Sequence, residues 1–152
     1  MNSTQYSEVK NLIESSGTII ITAHHNPDGD AVGSAMALFH VLNQIHENVM
    51  VILPNRFPDF LKWIEAADRA VIFDQNPENG MAKLFAKAGL IFCLDYNGLS
   101  RVDKMEKHLR NTNGSKVLID HHPNPEEKDF DFLISKTSAS STAELVYEFI
   151  ES

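Results

Sequence analysis

The chain has 152 residues, enough for one domain with a core of its own. A formal net charge of −8, with Lys and Arg scattered rather than blocked, argues against wrapping a long nucleic-acid duplex, which wants a positive surface. No apolar run approaches the ~20 residues of a membrane span, the polar start lacks a secretory apolar stretch, and the single cysteine, Cys93, excludes a disulfide framework; the expected setting is the cytoplasm.

In chain order, residues 5–16 read as a short helix leading into a strand over 17–23. Residues 31–45 place Val32, Ala35, Met36, Phe39 and Leu42 at helical spacing. A strand over 49–53 ends at Pro54-Asn55, followed by a short helix over 60–66 and a weak strand over 70–73. A helix over 81–88 has Gly89 as its expected C-cap. The apolar strand 90–94 runs into the turn signal Asp95-Tyr96-Asn97-Gly98. A helix over 102–110 stops in the Asn-rich run 111–114, and strands are expected over 117–119 and 132–134, either side of a loop at 123–129. The final helix, 138–150, carries Ala143, Val146, Tyr147 and Ile150 on its apolar side. This alternation predicts an α/β fold, a mostly parallel sheet sandwiched between helices in a Rossmann-like arrangement. The last apolar pattern runs nearly to the final residue without a closing strand, so the expectation is a piece of a longer protein.

Three clusters of acids and histidines follow apolar strands: His24-His25-Asn26-Pro27-Asp28-Gly29-Asp30, then Asp95, then Asp120-His121-His122. Strand ends share one edge of an open parallel sheet, and sites form there. Several charges in one place need an ion or solvent to be tolerable, and carboxylate with imidazole suits divalent metals. Pro27 and Gly29 shape a loop that can aim Asp28 and Asp30 at adjacent metal positions, with His24 in reach. Asp30 is equally placed to cap the following helix. Asp95 is either a turn former or a carboxylate bridging two ions about 3.5–4 Å apart. Of the pair His121-His122, one imidazole can bind metal while the other faces substrate, and Asp120 can orient an imidazole from behind or bind metal weakly. Candidate contacts for a substrate phosphate are Ser34 near a helix start, Arg101, and Ser140 or Ser141; capping competes for the last two, with Glu144 near the reciprocal position. There is no Walker A pattern, no Gly-x-Gly-x-x-Gly, and no nucleophile-elbow spacing around Ser34 or Ser100.

Residues 24–34, Leu94-Asp95, Asp120-His121-His122-Pro123 and residues 138–146 together resemble the motifs of the DHH phosphoesterase family. The resemblance spans almost the whole chain and is nearest to the branch that degrades very short RNA and dephosphorylates 3′-phosphoadenosine 5′-phosphate. It implies two divalent ions, usually manganese, with magnesium or cobalt as substitutes. It implies that His24, Asp28 and Asp95 hold one ion, that Asp30, Asp95 and His121 hold the other, and that His122 contacts the scissile phosphate. It further implies a homodimer in the complete protein. A fourth Asp-containing motif and a smaller substrate domain, which the family has, have no match within residues 1–152, since Asp129 and Asp131 come too early. The chain is therefore expected to be a truncated N-terminal catalytic domain that binds metal weakly and hydrolyses little by itself. Open alternatives are hydrolysis of pyrophosphate or polyphosphate, hydrolysis of a cyclic dinucleotide, and a non-catalytic metal- or nucleotide-binding domain.

Overall fold

A computed structural model describes residues 1–76 and 78–152. Six strands, β1 (Ile19–Ala23), β2 (Val49–Leu53), β3 (Val71–Ile72), β4 (Leu90–Leu94), β5 (Ser115–Asp120) and β6 (Phe132–Ser135), pair in parallel in the order β3-β2-β1-β4-β5-β6. All five residues of β1 and of β4 are buried. That is why they read as unbroken apolar runs: a parallel strand covered on both faces has no polar side to show.

Helices α1 (Ser3–Ser15), α2 (Gly29–Ile45) and α5 (Thr142–Ile150) cover one face, and α3 (Glu78–Lys87) and α4 (Glu106–Asn111) cover the other. The strand pleat sorts side chains between the two cores. Ile19, Ile21 and Ala23 join Val32, Leu38, Leu145 and Val146, whereas Ile20, Ile91 and Leu118 join Phe85, Met105 and Leu109. Each such aliphatic side chain contributes about 1.5–3 kcal/mol by leaving water. Strand order turns back between β1 and β4, so the carboxyl ends of β1, β4 and β5 border one crevice.

Four expectations are corrected. Residues 60–66 form no α-helix: two 3-10 turns, Asp59–Leu61 and Ala67–Arg69, flank Ala66, whose φ of 59° is left-handed and stops helical propagation. The segment over 102–110 is divided: a 3-10 stretch, Leu99–Met105, breaks at Asp103 (φ 50°) before α4 begins. Gly89 is no left-handed cap; its place is set by close approach, since an added Cβ would lie 3.0 Å from the Ser16 hydroxyl oxygen. Helix α5 starts at Thr142 rather than 138, and it buries Thr142, Leu145 and Val146 against α2 and β5 while Tyr147 is 65% exposed. Val146 belongs to both sets and Ile150 packs partly buried on the same core, but docking turns Leu145 inward and Tyr147 outward. Among the described residues no helix is long and apolar enough to cross a membrane.

Candidate metal centre

The loop leaving β1 turns at Asn26, not at Gly29. Asn26 adopts φ 56°, a conformation its short polar side chain tolerates, and Asn55 at the end of β2 holds it there. The Asn26 N–H donates to Asn55 Oδ1 at 2.7 Å, and Asn55 Nδ2 donates to Asn26 Oδ1 at 2.9 Å. The chain then enters α2 with Asp28 as the N-cap, its Oδ1 accepting the N–H groups of Asp30 (3.0 Å) and Ala31 (3.1 Å). The capping role open to Asp30 thus falls to Asp28. Asp30 reaches the other way and accepts the first two amides of α5, from Thr142 at 2.8 Å and Ala143 at 2.9 Å.

Asp95 follows β4 with φ 62° and is 3% exposed. Its two oxygens face different imidazoles. Oδ2 lies 3.5 Å from His24 Nε2, and Oδ1 lies 3.7 Å from His121 Nε2. His24 Nε2 is also 3.8 Å from Asp28 Oδ1, and His121 Nε2 is 3.7 Å from Asp30 Oδ2. The Nδ1 of His24 bonds the His25 carbonyl at 2.8 Å, which places a proton on Nδ1 and leaves a lone pair on Nε2. Donor atoms of Asp95, His121 and His122 also converge within 4.8 Å, as do those of His24, Asp28 and Asp95.

This donor set fits divalent ions. Two atoms each about 2.1 Å from one ion lie roughly 3.0–3.5 Å apart at octahedral to tetrahedral angles. The separations of 3.5–3.8 Å come near that range and are too long for hydrogen bonds. Charge points the same way. Burial pushes the Asp30 carboxyl above the usual carboxylate range against its two amide bonds, so its charge lacks full compensation. For Asp95 burial acts upward too, but the His24 imidazole beside it, the Thr142 hydroxyl bond and the nearby His122 more than offset it and hold the group below that range. The adjacent Asp95 carboxylate in turn raises His24, against the opposing effect of burial.

Asp120 is fully buried behind this edge. Its Oδ1 lies 2.7 Å from His122 Nδ1, while its Oδ2 is buried without a partner. The imidazole it orients is therefore His122, whose side chain is 44% exposed, rather than His121. Ser34 is not at the helix start; it lies in the second turn of α2, fully buried, with its hydroxyl donating to the Ala31 carbonyl at 3.3 Å, so no exposed hydroxyl faces an anion. Ser141 caps α5 by accepting the Glu144 N–H at 3.1 Å, and the Ser140 N–H and hydroxyl both donate to Glu144 Oε2. Arg101 is exposed on the 3-10 stretch beside the β1 loop, its carbonyl accepting the His25 N–H at 2.8 Å. Asp129 pairs with Arg110, and Asp131 accepts the Lys116 N–H near the start of β5, the strand end away from the cluster.

Thr142 escaped the sequence reading. Fully buried, it donates its hydroxyl to Asp95 Oδ1 at 2.8 Å as well as its N–H to Asp30. It lies within the 138–146 stretch that resembles a family motif, but the capping pattern there points only to Ser140 and Ser141 and gives Thr142 no role of its own. Tyr96, buried next to Asp95, was missed too; its hydroxyl lies 2.8 Å from that of Thr22 in β1 and ties the turn to the sheet.

The all-parallel sheet gathers carboxylates and imidazoles that could hold metal ions at one crevice, and the chain belongs to the DHH family: residues 18–152 match the DHH family, N-terminal domain. Among relatives, it is 30% identical over 135 residues to the bifunctional oligoribonuclease and PAP phosphatase NrnA of Bacillus subtilis, covering 86% of this chain and 37% of that protein. It is 29% identical over 154 aligned positions to the cyclic-di-AMP phosphodiesterase GdpP of the same organism, covering 94% of this chain and 22% of that one. The crystal structure of an exopolyphosphatase-related protein from Bacteroides fragilis superposes with a TM-score of 0.93 at 38% identity, covering 98% of this chain and 43% of that chain. The chain thus spans less than half the length of each of these relatives.

Proposed function

We propose that this chain is the metal-binding catalytic domain of a cytoplasmic phosphoesterase that hydrolyses short oligoribonucleotides, 3′-phosphoadenosine 5′-phosphate, or both. The observation that carries the proposal is the placement of Asp95, one oxygen toward His24 and the other toward His121. A carboxylate so placed suits two ions that share it. Two divalent ions, manganese by the resemblance and by the hard donor set, supply Lewis-acid activation of water and neutralise charge on the phosphoryl group when bound.

The residues divide the remaining work. His24, Asp28 and Asp95 would hold one ion, and Asp30, Asp95 and His121 would hold the other. His122, with Nδ1 engaged by Asp120, keeps its second ring nitrogen free of protein partners among the described residues. That nitrogen hydrogen-bonds a phosphoryl oxygen and stabilises the charge that grows there. Arg101 sits at the rim as a further cation for the same anion. Low activity is expected of residues 1–152 alone, because the fourth-motif ligand has no counterpart among them and Asp129 and Asp131 are engaged elsewhere.

Manganese titration by calorimetry, with Asp95→Ala alongside, tests the proposal. Two saturable sites lost in the variant support it, and no uptake at millimolar manganese overturns it. Likeness to an exopolyphosphatase-related structure and to a cyclic-di-AMP phosphodiesterase favours two second readings of the same centre. Rates on polyphosphate, a cyclic dinucleotide and a linear diribonucleotide separate the three.

A further inference from the structure

We infer that Thr142, the first residue of α5, is the positioning residue of this metal centre. The inference rests on the metal-centre reading above. Thr142 contributes two donors from one residue: its N–H to Asp30 Oδ2 at 2.8 Å and its hydroxyl to Asp95 Oδ1 at 2.8 Å. Those two oxygens are the ones that face His121 Nε2, each at 3.7 Å. One residue thus sets the spacing and tilt of two carboxylates from different elements, 112 and 47 residues away in sequence.

The donors are rigidly mounted. Ser141 caps α5, the helix packs on α2 and β5, and Thr142 is fully buried. The helix N-terminus carries partial positive charge and orphan amides, so a carboxylate is its natural partner. An ionised carboxylate has about four lone-pair sites, so each oxygen that accepts one bond from α5 keeps another for an ion. The Asp95 backbone is held at φ 62° with its N–H bonded to the Ile119 carbonyl at 3.1 Å, and the Thr142 hydroxyl adds a hydrogen bond that fixes its side chain. The hydroxyl then selects which lone pair of Oδ1 is left over, while Oδ2, turned toward His24, is untouched by α5. The consequence is asymmetric: Thr142 governs the ion on the His121 side and not the ion on the His24–Asp28 side.

The test uses Thr142→Val, which keeps the β-branched shape and the N–H but removes the hydroxyl, and Thr142→Ser, which restores the hydroxyl. Manganese is titrated calorimetrically into each chain, and electron paramagnetic resonance reads whether two manganese ions are exchange-coupled. Thr142→Val is expected to weaken one of two sites by about tenfold or more and to replace the coupled signal by that of an isolated ion, with Thr142→Ser close to wild type. Thermal melts in chelator check that both variants fold. Wild-type affinity at both sites in Thr142→Val overturns the positioning role and leaves the metal centre standing. Equal weakening of both sites, or failure of Thr142→Ser to rescue, also overturns it by marking a merely structural role. No uptake by the wild-type chain overturns both readings.

Discussion

The carboxylate of Asp30 accepts the backbone N–H of Thr142, 112 residues further along the chain, at 2.8 Å. One helix N-terminus therefore supplies the counter-dipole for an acid that belongs to another. Asp28 caps α2, its own helix, while Asp30, two residues on, accepts the first two amides of α5 beside the Ser141 cap. Each carboxylate offers its remaining lone pairs to the crevice, so helix capping and metal ligation use the same side chains without competing.

Asp28→Ala and Asp28→Ser separate those two uses. Alanine removes the cap and the donor, and loss of an N-cap side chain costs about 1 kcal/mol of stability. Serine caps nearly as well but is a poor ligand. Urea unfolding of the metal-free chains is expected to place Asp28→Ser near wild type and Asp28→Ala below it, while both lose manganese affinity at the His24 side. Equal stability of the two variants would show that the cap contributes nothing.

Asp95→Asn tests the shared carboxylate without disturbing the backbone. Asparagine tolerates φ 62° and its carbonyl oxygen still accepts the Thr142 hydroxyl, but it lacks the charge that holds two cations. The expected outcome is loss of saturable manganese binding at both positions with an unfolding midpoint in chelator close to wild type. Retention of either site at wild-type affinity would remove Asp95 from the shared position.

Strands and their site-bearing ends were legible because a buried parallel strand leaves an unbroken apolar run, and an acid or histidine after it has few other reasons to be there. Leu90–Leu94 followed by Asp95 is the plainest instance. Which carboxylate caps which helix was not legible, since Asp28 and Asp30 have the same chemistry and differ only in where α5 docks. Thr142 was hidden for the same reason: its two acceptors are distant in sequence, and a hydroxyl before a helix reads locally as a cap. Ser34 misled because the helix begins at Gly29, two residues before the apolar periodicity shows, which carries Ser34 into its second turn.

Cys93 offers a probe of the sheet itself. It is fully buried in β4, two residues before Asp95, and burial pushes its thiol up to about 11. Thiolate is the reactive form, so the folded chain is expected to resist iodoacetamide near pH 8 and to react once per chain after denaturation. Fast modification of the folded chain would mean that β4 opens readily, which is incompatible with a rigid mount for Asp95.

The His24–Asp95 contact makes metal-free stability and metal affinity depend on pH in opposite directions. The Asp95 carboxylate beside it raises His24 above its ordinary 6.5, so its stabilising contribution is complete below pH 6.5 and is lost as pH rises through the raised value. Asp95 is held below its ordinary 3.8, because its partners outweigh burial; its contribution is present above pH 3.8 and lost as pH falls through the lowered value. The pair therefore stabilises the metal-free fold most between pH 3.8 and 6.5. Asp30, raised chiefly by burial, works the other way on the acid side and flattens that limb. Manganese takes the same Nε2 lone pair that the proton occupies, so binding strengthens as His24 loses its proton. Thermal melts at about pH 5.5 and pH 8, in chelator and in manganese, are expected to show a chelated chain that melts lower at the higher pH and a manganese-induced upshift that is larger there. An upshift that stays constant across that interval would exclude His24 as a ligand whose proton must leave.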